Sequence, residues 1–119
     1  MLGDVSRVGK IYIVTGYTDM RKSIDGLMAI ISHTYQLDPY DRSLYLFCGR
    51  RSDRIKALFY DKDGFTMLYK RLDNASSRYQ WPRSQDEVRQ LDRQEFRWLL
   101  EGLAIDQPKA IKAGKKREF

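Results

Sequence analysis

The chain has 119 residues, of which 42% are hydrophobic and 13% aromatic, and its 22 basic and 16 acidic side chains give a net charge of +6. This length predicts one domain with a modest core, and the apolar content excludes a wholly disordered chain. No apolar run approaches the ~18 to 20 residues of a membrane span, and the first ten residues lack the apolar stretch of a signal peptide. We therefore expect a cytoplasmic protein.

The positive charge is concentrated at the C-terminus. Residues 109–119 contain five basic side chains against Glu118, a net +4, which leaves +2 for residues 1–108. Apolar periodicity also stops after Ile105. We predict a single folded domain over residues 1–108 followed by a basic, mobile tail over residues 109–119.

The first predicted elements are a strand and a helix. Residues 11–15 form a short segment rich in β-branched side chains, which favours a strand that ends at Gly16. Apolar side chains then recur at helical spacing, which predicts a long helix from about residue 21 to residue 36. Thr18 or Asp19 is the expected N-cap of this helix.

The middle of the chain predicts an antiparallel β-meander. Residues 44–48 and 54–60 have the composition of strands joined by a tight connection, and residues 65–71 predict a third strand. The residues at 61–64, Asp-Lys-Asp-Gly, are typical of a hairpin turn. Residues 54–60 alternate poorly between apolar and polar side chains, which indicates a strand that is covered on both faces or lies centrally in the sheet.

The last elements are shorter. Residues 78–81 and 87–91 predict a short strand pair at the sheet edge. Asp92 and Glu95 have the spacing of a capping box, which predicts a second helix that ends at Gly102. The expected fold is α+β: a single domain with an antiparallel meander of four to five strands, one long N-terminal helix and one short C-terminal helix.

The sequence contains no pattern typical of an enzyme. Two-metal phosphoryl transfer needs carboxylates that converge from well-separated strands, whereas Asp61 and Asp63 flank a predicted turn in which aspartate is common for conformational reasons. His33 is the only histidine and Cys48 the only cysteine, so neither has the partners of a zinc site. We expect a buried Cys48 thiol, no metal, no cofactor and no catalytic residues.

Basic side chains interleaved with aromatic ones are the strongest chemical signal. Four of them lie within seven positions around the first hairpin, and more follow, with Tyr69, Tyr79 and Trp81 among them. Guanidinium groups bind phosphate and aromatic rings stack on bases, so this pattern favours nucleic-acid contact, although a solvated sheet face is the alternative. If the strands at 54–60 and 65–71 pair, Lys56 and Lys70 are expected to extend the hairpin cluster into one basic face. The candidate nucleic-acid-binding residues are Arg50, Arg51, Arg54, Lys56, Lys70 and Arg71.

Residues 15–27 carry more sequence detail than a strand-to-helix turn needs. Such a turn needs a glycine and a cap, whereas this segment also contains acidic and basic side chains in the order Thr18-Asp19-Met20-Arg21-Lys22. Together with later segments, these residues resemble the transposase-accessory proteins encoded by the second reading frame of insertion sequence 66 family elements (TnpB-type). The resemblance spans roughly residues 10 to 109. The residues that match the family signature are Asp19, Met20, Arg21, Lys22, Gly49, Arg50, Asp53, Lys56, Gly64, Lys70, Arg71, Trp81, Pro82 and Gly102.

The resemblance implies a protein that acts beside a separate catalytic transposase during DNA transposition of the element. Two hypotheses follow: a non-catalytic accessory subunit that assists transposase assembly through weak DNA contacts, or an adaptor that binds the transposase or another accessory protein without touching DNA. The adaptor hypothesis depends on residues 96–100, where the apolar groups exceed one helix face and are expected to leave Trp98 exposed. A metal-dependent nuclease is a third and much weaker hypothesis.

Overall fold

The computed structural model describes residues 8–83, 87–107 and 111. Its elements are five strands and two helices, the first of which continues as a π-helical segment. In chain order they are β1 (Ile11–Val14), α1 (Ile24–Ala29), the π-helical segment (Ile30–Thr34), β2 (Leu44–Cys48), β3 (Arg54–Asp61), β4 (Gly64–Arg71), β5 (Val88–Leu91) and α2 (Arg93–Leu100).

The strands form one mixed sheet in the order β4-β3-β2-β1-β5. The antiparallel meander is confirmed for β2, β3 and β4, but β1 pairs parallel to β2, with Ile11 opposite Leu44. The 29 residues that connect β1 to β2 are long enough for the crossover that a parallel pair requires. The α+β class is confirmed, and the purely antiparallel sheet is corrected to a mixed one.

Helices cover both faces of the sheet. Leu27 and Ile31 pack with Tyr45, Phe47 and Leu58 on one face. On the other face, side chains of α2 pack against alternate positions of the same strands; this second cluster includes Phe96, Leu99, Leu46, Ala57, Tyr79 and Trp81. All five residues of β2 are buried, because this central strand is covered on both faces.

The N-terminal helix is shorter than predicted. The Asp19 carboxylate accepts hydrogen bonds from the Arg21 backbone N–H and guanidinium, so these residues form a separate turn, and extended Ser23 precedes the helix. Ser32 donates its hydroxyl to the Met28 carbonyl, a back-bond that competes with the regular helical pattern, and the π-helical segment lies there. The long helix from residue 21 to residue 36 and its cap at Thr18 or Asp19 are therefore wrong.

The C-terminal elements match the prediction more closely. Asp92 and Glu95 form both hydrogen bonds of the capping box, and Gly102 follows α2 with a φ of 80°. The predicted edge pair is wrong, because residues 78–81 form no strand and β5 pairs antiparallel with β1 instead. Neither helix of the described part is long and apolar enough to cross a membrane. Of the predicted tail, residues 109, 110 and 112–119 lie outside the described residues.

Candidate functional site

A cleft of about 410 Å³ opens where β1 and β2 end. Parallel strands bring their carboxyl ends to the same edge of a sheet, and this edge is where ligands bind in many open sheets. The loop after β1 supplies residues 17–20, the loop after β2 supplies residues 49–51 and 53, and Arg54 is the first residue of β3. The Thr18 backbone N–H donates to the Cys48 carbonyl at 2.9 Å, which fixes the two loops side by side.

Close packing between these loops requires glycine at position 49. A Cβ atom placed on Gly49 would lie 2.6 Å from Cγ of Met20. Real Cβ atoms essentially never approach so closely. Two residues of the family signature, Met20 and Gly49, are thus neighbours in space although 28 residues separate them in the chain.

The loop after β2 is a tight turn that directs basic side chains outward. The Ser52 N–H donates to the Gly49 carbonyl at 3.1 Å, and Ser52 has a φ of 58°. The Ser52 carbonyl accepts the Tyr79 N–H at 2.7 Å, so the turn is also attached to the segment that precedes β5. Arg50 and Arg51 are exposed at the tip of this turn, as the sequence predicted for a hairpin connection.

An arginine–tyrosine stack lies beside the turn. The guanidinium carbon of Arg83 lies 3.5 Å from the ring centroid of Tyr17, and that of Arg50 lies 5.5 Å from the same centroid. Arg83 also donates to the Ser52 hydroxyl and to the Gly49 carbonyl, the latter at 3.4 Å. This group was not predicted from the sequence, because no local pattern links positions 17 and 83.

Some charged side chains at the cleft have a partner of opposite charge among the described residues, and others do not. Arg54 lies 3.6 Å from the Asp53 carboxylate, and Arg21 lies 2.8 Å from that of Asp19. Hydrogen bonds from the Arg21 side chain and backbone lower the pKa of Asp19 to about 2, so its carboxylate is ionised at neutral pH. Within the described part of the chain, Arg50 and Arg51 form no ion pair. The rim of the cleft therefore carries net positive charge.

Lys56 does not belong to this surface. Its side chain is only 9% exposed, and its ammonium group donates to the Lys22 carbonyl at 2.7 Å and lies 5.6 Å from the ring centroid of Tyr69. Lys70 pairs with Ile55, so it projects from the opposite face of the sheet. The expected single basic face through Lys56 and Lys70 is wrong, although the two residues do lie on adjacent strands.

The remaining candidate residues, Arg71 and Lys70, lie on opposite faces of the sheet. Arg71 is exposed and lies directly opposite Arg54 across β3 and β4, so it shares a sheet face with a residue of the cleft. Lys70 is exposed as well, but on the α2 side of the sheet. The structure thus groups Arg50, Arg51 and Arg54 at the cleft, with Arg71 beside Arg54.

Nine of the family-signature residues fall into two groups. Asp19, Met20, Gly49, Arg50 and Asp53 line the cleft. Four others lie in the framework of the fold: the Trp81 indole donates to the Val14 carbonyl at 2.9 Å, the Pro82 carbonyl accepts the Gly16 N–H at 3.0 Å, Gly64 begins β4 and Gly102 follows α2.

Covalent or metal chemistry finds no support at the cleft. The described residues contain no cluster of three or more histidine, cysteine or acidic side chains that could hold a metal ion. Burial raises the pKa of the Cys48 thiol to about 12, so the thiol stays protonated at neutral pH. What the cleft offers is guanidinium groups, an accessible aromatic ring and two carboxylates.

Comparisons with known proteins agree with the signature. The family described as IS66 Orf2 like protein matches residues 9–110. The uncharacterized protein y4hO of Sinorhizobium fredii (strain NBRC 101917 / NGR234) is 30% identical over 94 residues, which are 79% of this chain and 80% of that protein. The uncharacterized protein y4jC of the same organism is 29% identical over 98 residues, 82% of each chain. No solved structure matches. Because the family match covers most of its length, the chain belongs to the IS66 Orf2-like family.

Proposed function

We propose that this protein is a non-catalytic accessory subunit that contacts the DNA backbone weakly at the cleft rim while the transposase acts. Membership in the family identifies it as a transposition-associated accessory protein. The observation that carries the finer proposal is the pair of exposed guanidinium groups of Arg50 and Arg51 at the tip of a tight turn. Guanidinium groups bind phosphate oxygens in bidentate fashion, and nothing in the proposal requires a base to be read.

The number of phosphates that the cleft rim can neutralise sets the expected strength and salt dependence of DNA binding. Each phosphate neutralised on duplex DNA releases condensed counterions and contributes about −0.9 to the slope of log K against log salt. With Lys56 buried, the rim offers Arg50 and Arg51, with Arg54 partly engaged by Asp53. We expect a shallow slope of roughly −2 to −3 and weak binding that does not depend strongly on sequence.

Fluorescence anisotropy with labelled duplex DNA across a salt series tests the proposal. Replacing Arg50 and Arg51 with alanine should lower affinity for all sequences alike and flatten the slope by about 1.8. The matched control replaces Arg42 and Lys62 with alanine; both are also exposed but lie at the opposite end of the sheet. It removes the same charge and should leave the slope near its original value. Equal losses in both variants would reduce the effect to net charge and refute a localised site.

The adaptor hypothesis has a different outcome. Trp98 is half-buried rather than exposed, whereas Leu103, after α2, is 45% exposed. A stable complex with the transposase, together with no DNA binding at low salt, would reject the DNA-contact proposal and favour an adaptor. The same pull-down with the Arg50 and Arg51 variant shows whether the cleft rim takes part in that complex.

A further inference from the structure

An exposed aromatic ring stands at the mouth of the cleft. Tyr17 is 52% exposed, yet its ring is held by the stacked guanidinium of Arg83 at 3.5 Å. Arg83 is in turn held by the Gly49 carbonyl and the Ser52 hydroxyl, so the stack is attached to the turn after β2. A ring that is fixed in position and still accessible can stack on a base without a large loss of side-chain entropy.

The size of the cleft limits what can enter it. At about 410 Å³ it lies near the lower end of the range for small-ligand sites, roughly 300–1,000 Å³. A DNA duplex is far too large to enter and can only lie across the rim. One unstacked nucleotide matches both the size and the lining, which combines the Tyr17 ring and the Met20 side chain with polar groups.

The charges orient such a nucleotide. The Asp53 side chain is only 18% exposed, and Asp19 is ionised because its pKa is lowered to about 2. Carboxylates repel phosphate but accept hydrogen bonds from the amino groups of bases. Arg50 and Arg51 are exposed at the rim, where they favour phosphate. The base therefore belongs inside the cleft and the backbone outside.

We propose that the cleft receives one unstacked nucleotide, with its base against Tyr17 and its phosphates against Arg50 and Arg51, so that the protein prefers single-stranded or unpaired DNA to continuous duplex. The inference rests on the proposed DNA contact and extends it by naming the form of DNA. Stacking on an aromatic side chain tolerates any base, so no strong sequence preference accompanies the preference for unpaired strands.

The test compares three labelled DNAs that share one sequence by fluorescence anisotropy: a single strand, its blunt duplex, and the same duplex with an unpaired extension. The wild-type protein should bind the single strand and the extended duplex more tightly than the blunt duplex. Replacing Tyr17 with leucine should weaken single-strand binding roughly 5- to 150-fold and leave duplex binding within about twofold. The Tyr17→Phe control keeps the ring and should retain the single-strand preference.

A second measurement uses only the wild-type protein, so its result does not depend on whether a variant folds. Single-stranded DNA carrying 5-iododeoxyuridine, irradiated with the wild-type protein, should crosslink to Tyr17, as mapped by mass spectrometry. Equal affinity for single strand and duplex, with no crosslink at Tyr17, would overturn the inference while leaving Arg50- and Arg51-dependent duplex binding intact. No binding to any of the three DNAs would instead reject the proposed function itself.

Discussion

The close approach of Met20 to Gly49 predicts that Gly49→Ala changes the free energy of unfolding differently when Met20 is present and when it is replaced by alanine. An alanine Cβ at position 49 would lie 2.6 Å from Met20 Cγ, about 0.8 Å short of the 3.4 Å at which ordinary contact begins. Overpacking of this kind costs about 1–3 kcal/mol. Because the φ of Gly49 is not positive, alanine meets no backbone strain there and should gain about 0.4–1 kcal/mol by restricting the unfolded chain. Gly49→Ala should therefore destabilise the protein by up to about 2.6 kcal/mol.

The same substitution should become neutral or stabilising once Met20 is alanine. The clashing Cγ is then absent, and the Met20 Cβ lies 3.8 Å away, in ordinary contact. Urea unfolding of the wild type, both single variants and the double variant closes a double-mutant cycle, with each kcal/mol also visible as roughly 4 °C in Tm. We expect a coupling free energy of about 1–3 kcal/mol. An equal loss of stability from Gly49→Ala in both backgrounds would refute the steric argument.

Three further predictions concern single residues. Asp92→Ala should cost about 1 kcal/mol of unfolding free energy by removing the cap of α2, whereas Asp92→Asn should lose less; equal losses would contradict the capping role. Lys56→Met should leave the salt slope of DNA binding unchanged, because the ammonium group is buried against the Lys22 carbonyl; a slope change near 0.9 would show that Lys56 reaches phosphate. Burial raises the pKa of Cys48 from 9.0 to about 12, so a disulfide reagent at pH 8 should modify the thiol only after denaturation. The raised pKa favours the neutral thiol in the folded protein, so the stability that this thiol contributes is complete below pH 9 and is lost as the pH rises toward 12. Rapid labelling of the folded protein at pH 8 would contradict the burial of the thiol.

Local rules were sufficient wherever an element depends on its own residues. The turn at residues 61–64 joins β3 to β4 because aspartate and glycine suit that geometry, and β2 has the predicted bounds. The capping box at Asp92 needs only side chains three residues apart. The helix start at residue 24 was missed because the Asp19–Arg21 interaction forms a turn that competes with helix and is invisible to apolar periodicity.

The candidate site was predicted only in part, because some of its features depend on local sequence and others on strand pairing. A tight turn exposes its tip, so the exposure of Arg50 and Arg51 follows from the local sequence. Strand alternation also implies that Lys56 and Lys70 project from opposite faces once their pairing is known, but the pairing register is not local information. Burial of Lys56 depends further on the loop that places the Lys22 carbonyl above it.

By itself, the sequence determined the family, the α+β class, the meander and the basic turn, because each depends on residue identity over short spans. Only the tertiary structure decided that β1 lies parallel to β2 and that β5 pairs with β1. Those pairings place β2 at the centre of the sheet, where the helices cover both of its faces, and this burial depends on several segments at once. They also bring Tyr17, Gly49 and Arg83 into contact across more than sixty positions of the chain, and the cleft exists because strand pairing brings these loops together.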